Sequence, residues 1–212
     1  NRSYSELTLP NTVTSIGEGA FQYCNSLISI IIPKSITSIG EDAFGGCNSL
    51  KNIILPPKLT TIGKHAFFKC YSIDSITIPE GVREIDQEAF RQCSSLKSIN
   101  VEANNLIYDS RNNCNAIVKT STNTLITGCQ NTIIPNSVRC IGDWAFNCCE
   151  SLTSIFIPKS VTTIGKGAFI GCIGLKHIKV ELGNPIFDSR ENCNAIIETA
   201  TNTLRVGCQS TT

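Results

Sequence analysis

Ile30-Ile-Ile-Pro-Lys-Ser-Ile-Thr-Ser-Ile-Gly-Glu-Asp-Ala-Phe-Gly-Gly-Cys47 decides the architecture, because versions of this stretch return along the chain every 23 residues. Phe stands at 21, 44, 67, 90, 146 and 169, each time directly after Ala and three residues before Cys. Pro recurs at 10, 33, 56, 79, 135 and 158, and Gly at 17, 40, 63, 142 and 165, with Asp86 the one departure in the Gly column. A supersecondary unit repeated at fixed period buries its apolar side only against its neighbours, which is the signature of a solenoid.

The spacing from Pro79 to Pro135 is 56 residues, one standard unit of 23 plus one long unit of 33. That long unit is duplicated: residues 99–131 and 178–210 align without gaps at an offset of 79 and match at 21 of 33 positions. The shared words are Asp109-Ser-Arg111 and Asp188-Ser-Arg190, Cys114-Asn-Ala-Ile117 and Cys193-Asn-Ala-Ile196, and Gly128-Cys-Gln130 and Gly207-Cys-Gln209.

Each short unit reads as one coil. Leu27-Ile-Ser-Ile-Ile-Ile32 has the spacing of a strand that turns Leu27, Ile30 and Ile32 inward, and Pro33 ends it. A second β-prone stretch, Ile36-Thr-Ser-Ile39, runs up to Gly40, which permits a turn. The Glu41-to-Cys47 segment is expected to make one or two helical turns, packed inward through Ala43, Phe44 and Cys47. The expected fold is therefore an α/β-solenoid of parallel stacked coils, with short convex helical turns and two long repeats that contain β-hairpins. Residues 1–212 are expected to form a single domain, since no coil is stable alone.

The pattern carried by Leu152 to Ser160 and then Val161-Thr-Thr-Ile-Gly-Lys-Gly-Ala-Phe-Ile-Gly-Cys172 resembles the BspA-like leucine-rich repeat, also called the Treponema pallidum type. The strict period of 23 with Ala-Phe-x-x-Cys separates it from other leucine-rich repeats, and the likeness covers nearly the whole chain. It implies a surface or secreted protein of a host-associated bacterium or protist parasite. It also implies a non-enzymatic adhesion module whose partner is a host matrix protein or another microbial surface protein. The 33-residue units depart from the family pattern.

Composition is compatible with that implication. The net charge of +1, from 18 basic and 17 acidic residues, steers the chain toward neither nucleic acid nor an anionic membrane. No run of apolar residues is long enough for a membrane span. The chain starts in a strand-like segment and contains no Met, so it reads as a fragment, with any signal sequence or anchor outside it.

Six of the twelve cysteines (Cys24, Cys47, Cys70, Cys93, Cys149 and Cys172) share one repeat position and are expected to stack as buried thiols. No paired C-x-x-C spacing points to zinc, and no cofactor is expected. In each long unit two β-prone runs flank a polar turn, about Ser121 and Thr122 or about Ala200 and Thr201. A hairpin centred there sets Cys114 against Cys129 and Cys193 against Cys208, so a cross-strand disulfide and a pair of buried thiols both stay open. Cys140 and Cys148 read as local variants without a role.

Function is sought where the repeat varies. The last outward strand position reads Thr8, Ile31, Ile54, Thr77, Asn100, Ile133, Phe156 and Lys179, four of them apolar. Ile28, Lys51, Asp74, Lys97, Thr153 and Lys176 form a second outward column. Candidate partner-binding residues are thus Ile31, Ile54, Thr77, Ile133 and Phe156, with Lys51, Asp74, Lys97 and Lys176, on what would be the concave sheet of a horseshoe. His65 and His177 lie in different columns, and no phosphate loop, zinc-protease helix or nucleophile elbow is present, so no catalytic residue is assigned. The Asp-Ser-Arg words read as turns with local ion pairs. Two other readings stay open: a spacer or scaffold whose recognition lies in other domains, and an intracellular scaffold compatible with so many thiols.

Overall fold

The computed structural model of the chain describes residues 5–208, so the last two residues of the second long unit, 209–210, lie outside the described residues. The coils contribute two rows of short strands. Glu6–Thr8, Ser29–Ile31, Asn52–Ile53, Ser75–Ile78, Ser98–Val101, Ser154–Ile157 and His177–Val180 make a first row. Ser15–Ile16, Ser38–Ile39, Thr61–Ile62, Glu84–Ile85, Cys140–Ile141 and Thr163–Ile164 make a second. Pairing between short units is parallel and joins repeat equivalents, Ile30 with Ile53 and Ser38 with Thr61, so a column in the sequence is a column in space. Leu27, Ile30 and Ile32 are buried, as their spacing predicts, and the same holds for Leu50, Ile53 and Leu55 one coil on.

The third side of each coil corrects the helical expectation. Residues Glu41 to Cys47 form consecutive tight turns, and among the described residues the only helical pieces are single 3-10 turns at Arg111–Asn113 and Arg190–Asn192. The reason lies in where the N–H groups go. Ala43, Gly45 and Cys47 donate back three residues, to Gly40, Asp42 and Phe44. The alternate groups of Asp42, Phe44 and Gly46 donate to Lys64, Ala66 and Phe68 of the next coil, at 2.9, 2.8 and 2.6 Å. An α-helix would use all of these donors internally. Asp42 (φ 51°) and Gly46 (φ 74°), both left-handed, break the helical path and aim the donors outward.

Gly40 also differs from its expected part. Its φ is not left-handed; a Cβ there would lie 2.8 Å from the Glu18 nitrogen and 2.9 Å from the Gly17 carbonyl carbon. The Gly column therefore permits close approach of successive coils rather than a special turn.

Inside, the Phe column stacks. Phe21, Phe44, Phe67 and Phe90 lie 5.2, 5.4 and 5.2 Å apart, and Phe146 and Phe169 5.1 Å apart, with rings within 11° of parallel. Between Phe90 and Phe146 stands the hairpin of the first long unit, Ala116–Lys119 and Thr124–Gly128. Both of its faces are covered: Ile117 and Ile126 belong to the N-terminal core, whereas Ala116, Val118 and Leu125 belong to the C-terminal one. Its outer strand pairs in parallel with Cys140–Ile141, so the hairpin occupies the place of a coil in the second strand row.

Side chains lock this insertion. Asn105 is buried; its amide donates to the Pro79 and Val82 carbonyls at 2.8 and 3.0 Å, and its oxygen accepts from the Ile107 and Tyr108 nitrogens at 2.9 Å. Asn184 repeats all four bonds in the second long unit. Arg91 spans the insertion, donating to Asn147 at 3.1 Å and lying 4.0 Å from the Trp144 ring. Arg111 chelates Asp109 and donates to Asn123 and to Ser137 of the following coil.

Gly128 is buried with the Phe146 ring directly against its α-carbon, where a methyl group would collide with three ring atoms. Its counterpart Gly207 is exposed. Gly128→Ala is expected to destabilise by about 1–3 kcal/mol, the usual cost of overpacking. That corresponds to a thermal midpoint lower by about 2–4 °C per kcal/mol. Gly207→Ala is expected to leave the midpoint nearly unchanged, and differential scanning calorimetry of the two variants checks the contrast.

Candidate functional site: the face of the first strand row

Along the first strand row the outward residues emerge in the columns read from the sequence. Ile31 pairs with Thr8, and Ile54 follows one residue beyond the Ile30–Ile53 pair, so the two isoleucines stand side by side on adjacent coils. They are 66 % and 83 % exposed, and Ile28 is exposed beside them. Thr77 and Asn100, paired and exposed, interrupt the apolar column, and Phe156, 46 % exposed, resumes it opposite Lys179. Ile133 is exposed but lies outside any strand, in the segment leaving the hairpin, where its N–H donates to the Cys114 carbonyl at 3.0 Å. The expected ridge is therefore two patches with a polar stretch between them.

Lys51, Lys97 and Lys176 are exposed in the flanking column, with Asp74 half-buried among them and accepting a hydrogen bond from Ser75 at 3.1 Å. At the C-terminal end the face deepens into a groove of about 740 Å³ lined by Phe156, His177, Lys179, Leu182 and Phe187, with Leu182 96 % exposed. The face thus sets apolar side chains on a polar lattice with lysines along its flank.

The repeat-position thiols do more than fill space. Cys47, Cys70, Cys93 and Cys172 each donate to the carbonyl of the Phe in the preceding coil, at 3.0 to 3.2 Å. Burial pushes Cys47, Cys93 and Cys172 up to about 12 and raises Cys70 and Cys149 as well, which holds them as neutral donors rather than nucleophiles.

The hairpin cysteines meet different partners from those a plain hairpin gives. Lys119 pairs with Thr124 and Val118 with Leu125, but Ile117 pairs with Thr127 and Ala116 with Gly128, so Ile126 is an extra residue. This bulge moves Cys129 out of register with Cys114. The Cys129 thiol donates to the Asn115 carbonyl at 3.3 Å, and that of Cys114 turns to the Ala116 carbonyl at 3.8 Å. The second hairpin bulges identically between Ile196 and Ile197, and Cys208 donates to the Lys176 and Asn194 carbonyls at 3.1 and 3.2 Å, with Cys193 buried.

His65 is held by its column. Its nitrogens lie 4.0 Å from Asp42 and 3.3 Å from Glu88, and Glu88 also receives Arg91 at 2.7 Å. Partial burial opposes ionisation of Glu88, but the hydrogen bonds from Arg91 and His65 outweigh it and bring its pKa below the usual value. Glu41, Asp42 and His65 have ligand atoms within 4.8 Å of one another, and Asp42 and His65 of these belong to the ion-pair ladder. His177 stands apart on the strand face, paired with Ser154. Arg111 and Arg190, in the Asp-Ser-Arg words, close the long units on themselves, bonding Asp109 and Asn123 or Asp188 and Asn202.

Sequence reasoning did not single out Asn105, Asn184 or the Arg91–Trp144 strut. The two asparagines were visible as identities in the duplicated unit, whereas the strut joins residues 53 positions apart and has no local signal.

The repeat geometry agrees with the comparisons. A model of the BspA type leucine rich repeat region matches in six copies, over residues 1–118 and 110–202. The chain belongs to this family. Among solved structures it is similar to a leucine rich cell surface protein from Faecalibacterium prausnitzii, with 26 % identity over 82 % of this chain and a TM-score of 0.54. It is similar to a leucine rich repeat protein of T. pallidum, at 29 % identity over 86 % of the chain and TM-score 0.52, covering 70 % of that protein. The pneumococcal vaccine antigen PcpA, at 21 % identity over 82 % of this chain and half of its own, shares the fold with a TM-score of 0.62. The chain spans 60 % of the Faecalibacterium protein. Among curated proteins no sequence match is found.

Titration of thiols in denaturant without reductant is expected to return all twelve cysteines of the chain. A count of ten or eight would instead mean that one or both hairpins bridge Cys114 to Cys129 or Cys193 to Cys208.

Proposed function

We propose that this leucine-rich repeat domain is a non-enzymatic, protein-binding adhesion module of a microbial cell-surface or secreted protein, and that it binds through the face of its first strand row. The observation that carries the reading is the pair Ile31 and Ile54, two large apolar side chains standing in solvent on adjacent coils. Burying them against a partner recovers hydrophobic free energy that the isolated domain forgoes, about 1.5–3 kcal/mol for each side chain fully covered. Lys51, Lys97 and Lys176 supply long-range attraction for an acidic partner and Asp74 a local register mark.

A solved relative described as a cell surface protein supports the location. Among the described residues no helix is long and apolar enough to cross a membrane. The partner class is a host matrix protein or another microbial surface protein. His65 is held between the carboxylates of Asp42 and Glu88, and His177 pairs with Ser154 on the open face.

The test compares the wild-type domain with an Ile31→Ser, Ile54→Ser, Phe156→Ser variant on immobilised purified matrix proteins and on whole bacterial cells. The variant is expected to keep its thermal midpoint, since all three side chains are exposed, and to lose binding by at least about tenfold, the effect of about 1.4 kcal/mol. Equal binding by both proteins would contradict the assignment of the face. No binding by the wild type to any surface would favour a spacer whose recognition lies in other domains.

A further inference from the structure

Along the second strand row each coil gives two N–H groups to the coil before it. Thr37 and Gly40 donate to the Thr14 and Ile16 carbonyls, Thr60 and Gly63 to Thr37 and Ile39, and Arg83 and Asp86 to Thr60 and Ile62, all at 2.8 to 3.1 Å. The series stops in the middle of the chain. Glu84–Ile85 ends its sheet, and Tyr108–Asp109, the second-row strand of the next coil, belongs to the sheet of the first hairpin instead. The first-row strands of the same two coils, Ser75–Ile78 and Ser98–Val101, stay paired, so the stack splits on one side only.

The split has a cause in the hydrogen bonds of the long unit. The Ile107 and Tyr108 N–H groups donate to the Asn105 side-chain oxygen at 2.9 Å, and the Ile107 carbonyl accepts from the Thr120 N–H at 2.9 Å, so these groups are lost to coil pairing. Tyr108 bridges the gap with its whole side chain. Its hydroxyl accepts from the Ile85 N–H at 3.0 Å, and among the described residues its own proton has no acceptor. Nor does any described group donate to the Arg83 or Ile85 carbonyl. These two acceptors lie two residues apart on one strand edge, about 7 Å at the usual rise of a strand. Such an edge is a template for a further strand.

A cleft of about 320 Å³ lies at the seam, running from the Glu84–Ile85 edge to Tyr108 and to Lys119 of the hairpin. Lys64, Arg83 and Lys119 stand exposed around it on three different elements, and among the described residues none of them is in an ion pair. Glu84 and Asp86 also line the cleft, where Asp86 is engaged by the Glu88 N–H at 2.9 Å, so three cations face two carboxylates. The second long unit repeats the split, with Thr163–Ile164 ending its sheet and Asn184 capturing the Ile186 and Phe187 N–H groups. Its lining differs. At the offset of 79, Phe187 replaces Tyr108, Asp143 replaces Lys64, Thr162 replaces Arg83 and Glu198 replaces Lys119. The split therefore belongs to the long unit as such, whereas the phenol and the cationic rim belong to the first seam.

We propose that the seam between Glu84–Ile85 and Tyr108–Asp109 is a second binding site, which takes a short, extended, acidic peptide segment of a partner protein as an added strand. The N–H groups of the segment donate to the Arg83 and Ile85 carbonyls, as those of a coil do at the other junctions. One of its carbonyls accepts the proton of the Tyr108 hydroxyl, and its acidic side chains meet Lys64, Arg83 and Lys119. The main chain supplies the pairing and the rim supplies the preference for acidic residues. The cleft stands at the small end of ligand sites, about 300–1,000 Å³, so the contact is confined to a few residues of the segment. The proposal stands independently of what the first strand row binds.

Titration of the nitrogen-15-labelled protein with the acetylated and amidated peptide Thr-Glu-Thr-Glu-Thr, up to millimolar concentration and followed by amide NMR shifts, tests it. Two control peptides carry N-methyl groups along the backbone or Gln in place of Glu. The variant Lys64→Asp, Arg83→Thr, Lys119→Glu gives the first seam the residues of the second at exposed positions, and unchanged resonances away from the seam check its fold. The wild type is expected to show saturable shifts centred on residues 83–86 and Tyr108. Binding is expected to weaken by at least about tenfold with either control peptide and with the variant. No saturable shift in the wild type, shifts centred on Ile31 and Ile54, or equal binding by the variant would overturn the proposal. Equal binding of the N-methylated peptide would also overturn it, because the cations would then be holding an anion of any kind, an acidic glycan included, without strand pairing.

Discussion

Every coil of this molecule has an apolar interior that only another coil can close. The stacked phenylalanine rings at 5.1 to 5.4 Å express that constraint most directly, since this spacing leaves no room for solvent between coils. It is close to the separation of about 4.8 Å between neighbouring strands, so strand pairing, ring stacking and thiol-to-carbonyl hydrogen bonds all advance by the same step. The Gly column exists to allow that step. The turns on the third side are non-helical for the same reason, because alternate N–H groups must leave the coil to reach its neighbour.

The first hairpin is where the constraint meets an interruption. It breaks the Phe column between Phe90 and Phe146 but restores closure by burying Ile117 and Ile126 on one side and Val118 and Leu125 on the other. Gly128 makes room for Phe146, Asn105 fastens the excursion to the preceding proline loop, and Arg91 bridges the gap against Trp144. The two halves of the core are thus joined through a layer of apolar hairpin side chains and one cation on an aromatic ring. The outward residues of the first strand row take no part in closure, so their chemistry is free to vary.

Much of this was legible in the sequence because the pairing register equals the repeat period. Columns at 23-residue spacing became columns in space, the inward set Leu27, Ile30 and Ile32 was right, and the outward set Ile31, Ile54 and Phe156 was right as exposed positions. The helical expectation for Glu41 to Cys47 failed because Ala-Phe-x-x-Cys spacing suits a helical turn equally well, and the choice is made by hydrogen bonds to the next coil. The cysteine pairing rested on a hairpin without a bulge, and no residue type marks Ile126 as the extra one. Ile133 lay in the right column but outside a strand, because the chain there is still returning from the hairpin.

The central claim is that the first hairpin couples the coils on its two sides into one cooperative unit. Equilibrium urea unfolding followed in parallel by far-UV circular dichroism, which sees all strands, and by fluorescence of the single tryptophan, Trp144, at the junction addresses it directly. The account predicts one transition with coincident midpoints for the two signals. Two separated steps in circular dichroism, with Trp144 following only one of them, would contradict it.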